Sequence, residues 1–63
     1  MTYPEFQVFQ GKDEAWYFRL VALNGEIVAS SEGYASRAGA VKGTKAVRAA
    51  AAAAVVTIES QKA

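Results

Sequence analysis

Cysteine and histidine are both absent from this 63-residue sequence. Without Cys there is neither a disulfide nor a thiolate metal site, and without His the commonest neutral metal ligand and general base are missing. Proline occurs once, at Pro4. No hydrophobic run is long: the longest, Ala49 to Val56, falls far short of the roughly 20 residues that span a bilayer. The opening MTYPEFQ has neither the basic start nor the apolar stretch of a signal peptide, so the expectation is a cytoplasmic protein with no membrane partner. At this length a single domain, residues 1–63, is expected, and a lone domain so small is marginal unless stapled. With disulfides and thiolate or imidazole metal sites excluded, oligomerisation is the remaining staple.

Charge is unevenly placed. Residues 1–33 carry two cations against five carboxylates, a net of −3, whereas residues 34–63 carry five cations against Glu59 alone, a net of +4. The catalytic inventory is thin. Ser30, Ser31, Ser36 and Ser60 have no His to activate them, and the carboxylates Glu5, Asp13, Glu14, Glu26 and Glu32 are scattered rather than gathered as a hard-cation site requires. Gly39 and Gly43 form a GxxxG in a basic segment, unsuited to a membrane, and Gly43-Thr44-Lys45 lacks the order of a phosphate-binding loop. The expectation is a protein that is not an enzyme and has no cofactor or metal.

Three runs read as strands. Phe6 to Gln10 is aromatic and β-branched, Gly11 to Glu14 reads as a loop, and Ala15 to Leu23 is the strongest strand signal. Asn24-Gly25 before Glu26 to Ser31 predicts a type I′ hairpin, since both turn positions of that type need positive φ. A two-residue loop sets Ala22 opposite Ile27, Val21 opposite Val28, Leu20 opposite Ala29 and Phe18 opposite Ser31. Alternation then places Trp16, Phe18, Leu20, Ala22, Ile27 and Ala29 on an uncharged core face, joined by Phe6 and Val8. The other face collects Tyr17, Arg19, Val21, Leu23, Glu26, Val28 and Ser30. Its apolar members make Tyr17, Arg19, Val21 and Val28 a candidate partner-binding face, unless polar neighbours and a dimer partner cover it.

From Ser36, a plausible N-cap, the period changes to about 3.6, with Ala40, Gly43, Thr44, Val47, Ala51 and Ala54 on one stripe. Residues this small let a helix lie close to the sheet, nearest at Gly43, over Trp16, Phe18 and Leu20. Arg37, Lys42, Lys45 and Arg48 gather around Val41 as a basic shoulder that could meet phosphates, with Tyr17, Arg19 and Tyr34 offering stacking surfaces nearby. The plainer reading is a solvated face whose cations suit the helix dipole. Six alanines, Ala49 to Ala54, favour continuing the helix, yet Val55-Val56-Thr57-Ile58 favours a strand, and no Gly, Pro or Asn marks the change. A strand from about Val55 to Glu59 is expected.

Taken in order, Phe6, Val8, Phe18-Arg19-Leu20, Ala22, Asn24-Gly25, Ile27, Ala29, Ser31, Gly33-Tyr34, Ser36, Ala40, Gly43 and Val47 resemble the YegP-like family of small uncharacterised proteins. Thr44 departs from its pattern where an aliphatic residue is usual, and Val21 where a polar one is common. The resemblance implies a strand-strand-strand-helix-strand unit, in one copy or two, whose units share a sheet by exchanging C-terminal strands; it implies no catalytic residue or ligand. The expected fold is therefore α+β: a three-stranded antiparallel meander, one helix on one face, and Val55, Val56, Thr57 and Ile58 exchanged within a homodimer. Independently of the family, a helix stripe of Ala, Gly and Thr buries little, so a lone unit would be short of core. The expected function is a structural or protein-interaction module, with weak nucleic-acid or polyanion binding through Arg37, Lys42, Lys45 and Arg48 as the alternative.

Overall fold

The computed structural model describes residues 2–59. Strands β1 (Glu5–Gln10), β2 (Trp16–Val21) and β3 (Ile27–Ser30) precede helix α1 (Arg37–Ala53). The sheet is an antiparallel meander in the order β1-β2-β3, so the most apolar strand lies in the centre. In the first ladder Phe6 faces Leu20 and Val8 faces Phe18, which puts Phe6 and Val8 on the core face as expected.

Both hairpins close in the same way. Gly11 N–H reaches Ala15 C=O at 2.8 Å and Glu14 N–H reaches Gly11 C=O at 3.0 Å; Ala22 N–H reaches Glu26 C=O at 2.8 Å and Gly25 N–H reaches Ala22 C=O at 2.9 Å. Each is a three-residue loop whose last residue takes positive φ: Glu14 at 68° in the first, Gly25 at 88° in the second. Three-residue loops ending in a left-handed residue are a common hairpin solution after the two-residue types. The expected type I′ turn is thus corrected. Asn24 keeps negative φ, and its side-chain oxygen accepts from Glu26 N–H at 3.1 Å.

The register changes with the turn. Val21 pairs with Ile27 rather than Val28, and a bulge restores the expected Leu20 to Ala29 pairing one step later, leaving Val28 as the extra residue. Beyond it, Ser31 N–H donates to Phe18 C=O at 2.9 Å, as the sequence predicts. Tyr34 then makes a two-bond bridge to Trp16, at 2.8 and 2.7 Å, which keeps the chain beside β2 before the helix begins.

Ser36 caps α1: extended at φ −143°, its hydroxyl accepts from Gly39 N–H at 3.0 Å. Ala40 is fully buried and Thr44 nearly so. The Thr44 hydroxyl donates to Val41 C=O at 2.7 Å, which explains how a polar side chain sits where an aliphatic one is usual. Gly43 lies closest to the sheet. A Cβ there would meet the Tyr34 hydroxyl, Tyr34 Cζ at 2.8 Å and Phe18 Cε2 at 3.1 Å, so the bulk beneath the helix comes from Phe18 and Tyr34. Phe6 packs edge-on against Phe18 at 5.7 Å between centroids and Tyr34 stacks on it at 6.0 Å.

The cover is partial. α1 contacts β2 and β1 but not β3, whose four residues are all exposed, including Ile27 at 60%. Ile27, expected in the core, pairs with Val21 instead of Ala22 and is carried by the bulge to the other face, whereas Ala29 stays on the core face opposite Leu20 but has no element above it. The same holds along the helix: from Lys45 onward every described residue is exposed, so Val47, Ala51 and Ala54 of the expected dry stripe are uncovered. Helical geometry stops at Ala53, and Ala54 leaves in an extended conformation at φ −71°, ψ 142°. Val55, Val56 and Ile58 follow at 82%, 93% and 90% exposure, outside any strand of the single chain.

Candidate interaction surfaces

Three surfaces arise from this arrangement. The first is the sheet face turned away from α1. Arg19 donates from Nε to Gln7 Oε1 at 2.7 Å, and its guanidinium carbon stands 4.6 Å from the centroid of Phe9. Gln7 in turn donates to Glu5 Oε1 at 2.8 Å, and Phe9 stacks on Tyr17 with centroids 5.8 Å apart. Cross-strand pairing places these groups together, since Gln7 faces Arg19 and Phe9 faces Tyr17. The Tyr17 hydroxyl donates to Asp13, whose other oxygen accepts from Ala15 N–H at 3.1 Å. These bonds, that from Tyr17 foremost, hold the Asp13 carboxyl below its ordinary range, and the same bond raises the Tyr17 phenol.

The expected partner-binding face is consequently divided. Tyr17 and Arg19 are half-buried in this polar and aromatic ladder, and Val28 is exposed at the bulge. Val21 is only 5% exposed, flanked by Glu5 across one ladder and Ile27 across the other, so it does not belong to an exposed patch. Phe9 is the residue that sequence reading overlooked. Its role follows from the β1–β2 register, which a loop closed by Glu14 rather than by Gly or Asn does not announce.

The second surface is the outside of α1. Arg37, Lys42 and Lys45 surround a shallow open groove floored by Ala38 and Val41, and Lys45 and Arg48 border a second with Ala49. The four predicted cations thus come together along one flank, all exposed. α1 contains no carboxylate to pair with them. Lys42 to Lys45 and Lys45 to Arg48 are like-charge neighbours at i, i+3, an arrangement that costs helices roughly 0.2–0.5 kcal/mol per pair.

The third region consists of separate exposed parts: the β3 edge, the uncovered end of α1, which makes no contact with β3, and the segment Val55-Val56-Thr57-Ile58. Ser31 and Ser36, two of the hydroxyls considered as nucleophiles, are engaged with backbone: Ser31 Oγ accepts from Phe18 N–H at 2.9 Å and Ser36 caps the helix. Ser60 lies outside the described residues. Among those residues no group of His, Cys, Asp and Glu could hold a metal ion, and no helix is long and apolar enough to cross a membrane.

The model of a domain of unknown function, DUF1508, matches residues 12–57. The chain belongs to this family. Among DUF1508 relatives, UPF0339 proteins of Treponema denticola and Methanosarcina acetivorans are each 41% identical over 44 residues, covering 70% of this chain and 76% of theirs. The UPF0339 protein YegP of Yersinia pestis is 40% identical over 48 residues, 76% of this chain but 43% of YegP. The solution structure of a protein from Haloferax volcanii matches with a TM-score of 0.80 at 37% identity, covering 94% of this chain and all of the other. The family is thus the YegP-like one that the residues resemble, and its α+β arrangement is common to a solved relative. The family match runs to Thr57, through most of the apolar tail.

Proposed function

We propose that this DUF1508 chain is a non-enzymatic interaction module that acts as a homodimer, each copy donating Val55, Val56, Thr57 and Ile58 to the sheet of the other. One observation carries the reading: three large apolar side chains stand at least 82% exposed directly beyond a helix half that its own chain leaves uncovered. In proteins most helical stability comes from packing of one face, so the uncovered turns of α1 call for a cover that one copy lacks. The exposed edge of β3 is a ready receiver. It offers unpaired backbone groups beside Ile27 and Val28, and an added strand would satisfy them while covering apolar surface on both partners. The contact would be isologous, each copy giving and receiving the same segment.

Sedimentation at micromolar concentration tests the assembly, and a stable, folded monomer would overturn it. Removal of residues 55–63 tests the means: a truncated chain that still dimerised with unchanged stability would remove the tail from the interface.

A further inference from the structure

We infer that the outer flank of α1 is a binding site for the phosphodiester backbone of nucleic acid, engaged without regard to base sequence through Arg37, Lys42, Lys45 and Arg48. The case begins with what these cations do not do for the protein itself. Cations that serve a helix dipole belong in its last turn, and here the last turn has no basic residue while Arg37 occupies the first helical position, the unfavourable end. Nor do they serve ion pairs along the helix, because no carboxylate occurs between Glu32 and Glu59. A charge of +4 is therefore concentrated on one flank with no compensating group on its own element, and the dipole explanation admitted by the sequence does not fit where the helix begins and ends.

The geometry suits an extended polyanion. At about 1.5 Å per residue, Arg37 to Arg48 spans roughly 16 Å, and at about 100° per residue the four side chains fan over roughly 140° of arc. The grooves between them are shallow and open, lined by Ala38, Val41 and Ala49, which lets a backbone lie along the helix rather than enter a pocket. Lys42 and Lys45 point away from the inner stripe of Ala40, Gly43, Thr44, Val47 and Ala51, while Arg37 and Arg48 stand at its border beside Thr44. A second copy seated on that stripe would leave Lys42 and Lys45 open, so the centre of this site does not rest on the proposed dimer.

The test is fluorescence anisotropy with a labelled 20-mer, duplex and single-stranded, from 20 to 200 mM NaCl. Four phosphate contacts at about −0.9 each predict that duplex affinity falls about 150-fold between 50 and 200 mM. Lys45→Gln with Arg48→Gln removes two contacts, so the fall should shrink to about tenfold with weaker binding at every salt concentration. Lys12→Gln, in the first hairpin loop, should change neither. Absence of binding at 20 mM NaCl, or the same salt dependence in the double variant, would overturn the inference. So would tighter binding to phosphatidylserine vesicles than to DNA at equal phosphate concentration, which would reassign the flank to a membrane surface.

Discussion

The half of the molecule built on β1, β2 and the first turns of α1 differs sharply from the half made of β3, the last turns of α1 and the tail. In the first, Phe18, Val21 and Ala40 are buried, and Gly43 brings the helix against two aromatic rings. In the second, Leu23, Ile27, Val28, Val55, Val56 and Ile58 all stand more than half exposed. The uncovered half is no less apolar in sequence than the packed one. The difference is that the helix crosses two strands of three, so hydrophobic composition alone does not create a core; an opposing surface must exist.

The largest test of this contrast lies in the packed half. Phe18→Ala should cost about 3–5 kcal/mol in urea-induced unfolding, enough to unfold much of a domain this size. Gly43→Ala should cost about 1–3 kcal/mol, because the new methyl group meets two ring systems rather than a yielding chain end. Tyr34→Phe, by removing the nearest atom, should recover part of that loss in the double variant. Glu14→Gly should raise stability by about 0.5–1 kcal/mol, since Glu14 holds a φ of 68° that glycine adopts without a Cβ penalty.

In the uncovered half, Ile27→Ala should change the stability of a dilute single chain by less than about 0.5 kcal/mol. Its effect should grow with protein concentration if a partner covers β3. A loss comparable to that of Phe18→Ala at low concentration would break the comparison. The smallest effect belongs to Tyr17→Phe, read by NMR titration of Asp13, whose carboxyl should return upward toward 3.8. Because Asp13 titrates low in the folded chain, its contribution is present above that ordinary value and lost as pH falls through the depressed one. The phenol has the opposite sense: its contribution is present below 10.0 and lost as pH rises through its raised value. Tyr17→Phe should flatten both limbs.

Much of the architecture was legible in the residues. Ser36 marked the helix start because a short hydroxyl before a 3.6-residue period is a cap, and the β-branched pair after Ala54 marked its end. The basic flank was visible because a helical spacing gathers residues 37, 42, 45 and 48 whatever lies beneath. Two things were not visible. Asn24-Gly25 suits a two-residue turn, whereas the bond from Ala22 N–H to Glu26 C=O and a positive φ at Gly25 but not at Asn24 make it a three-residue one. Period-two alternation put Ile27 on the core face, whereas the bulge sets it opposite Val21 on the other, and alternation could not say what covers a face, so Val21 looked exposed and Ala29 covered.

The alanine run at the end of α1 has a further consequence. Helical geometry turns about 100° and advances about 1.5 Å with each residue, so one alanine more or fewer would aim the tail at a different quarter of the compass. Adding four would restore its heading to within about 40° while moving it about 6 Å outward. Since the six side chains are identical, the number of alanines, more than any one of them, sets the bearing at which Val55 leaves the helix.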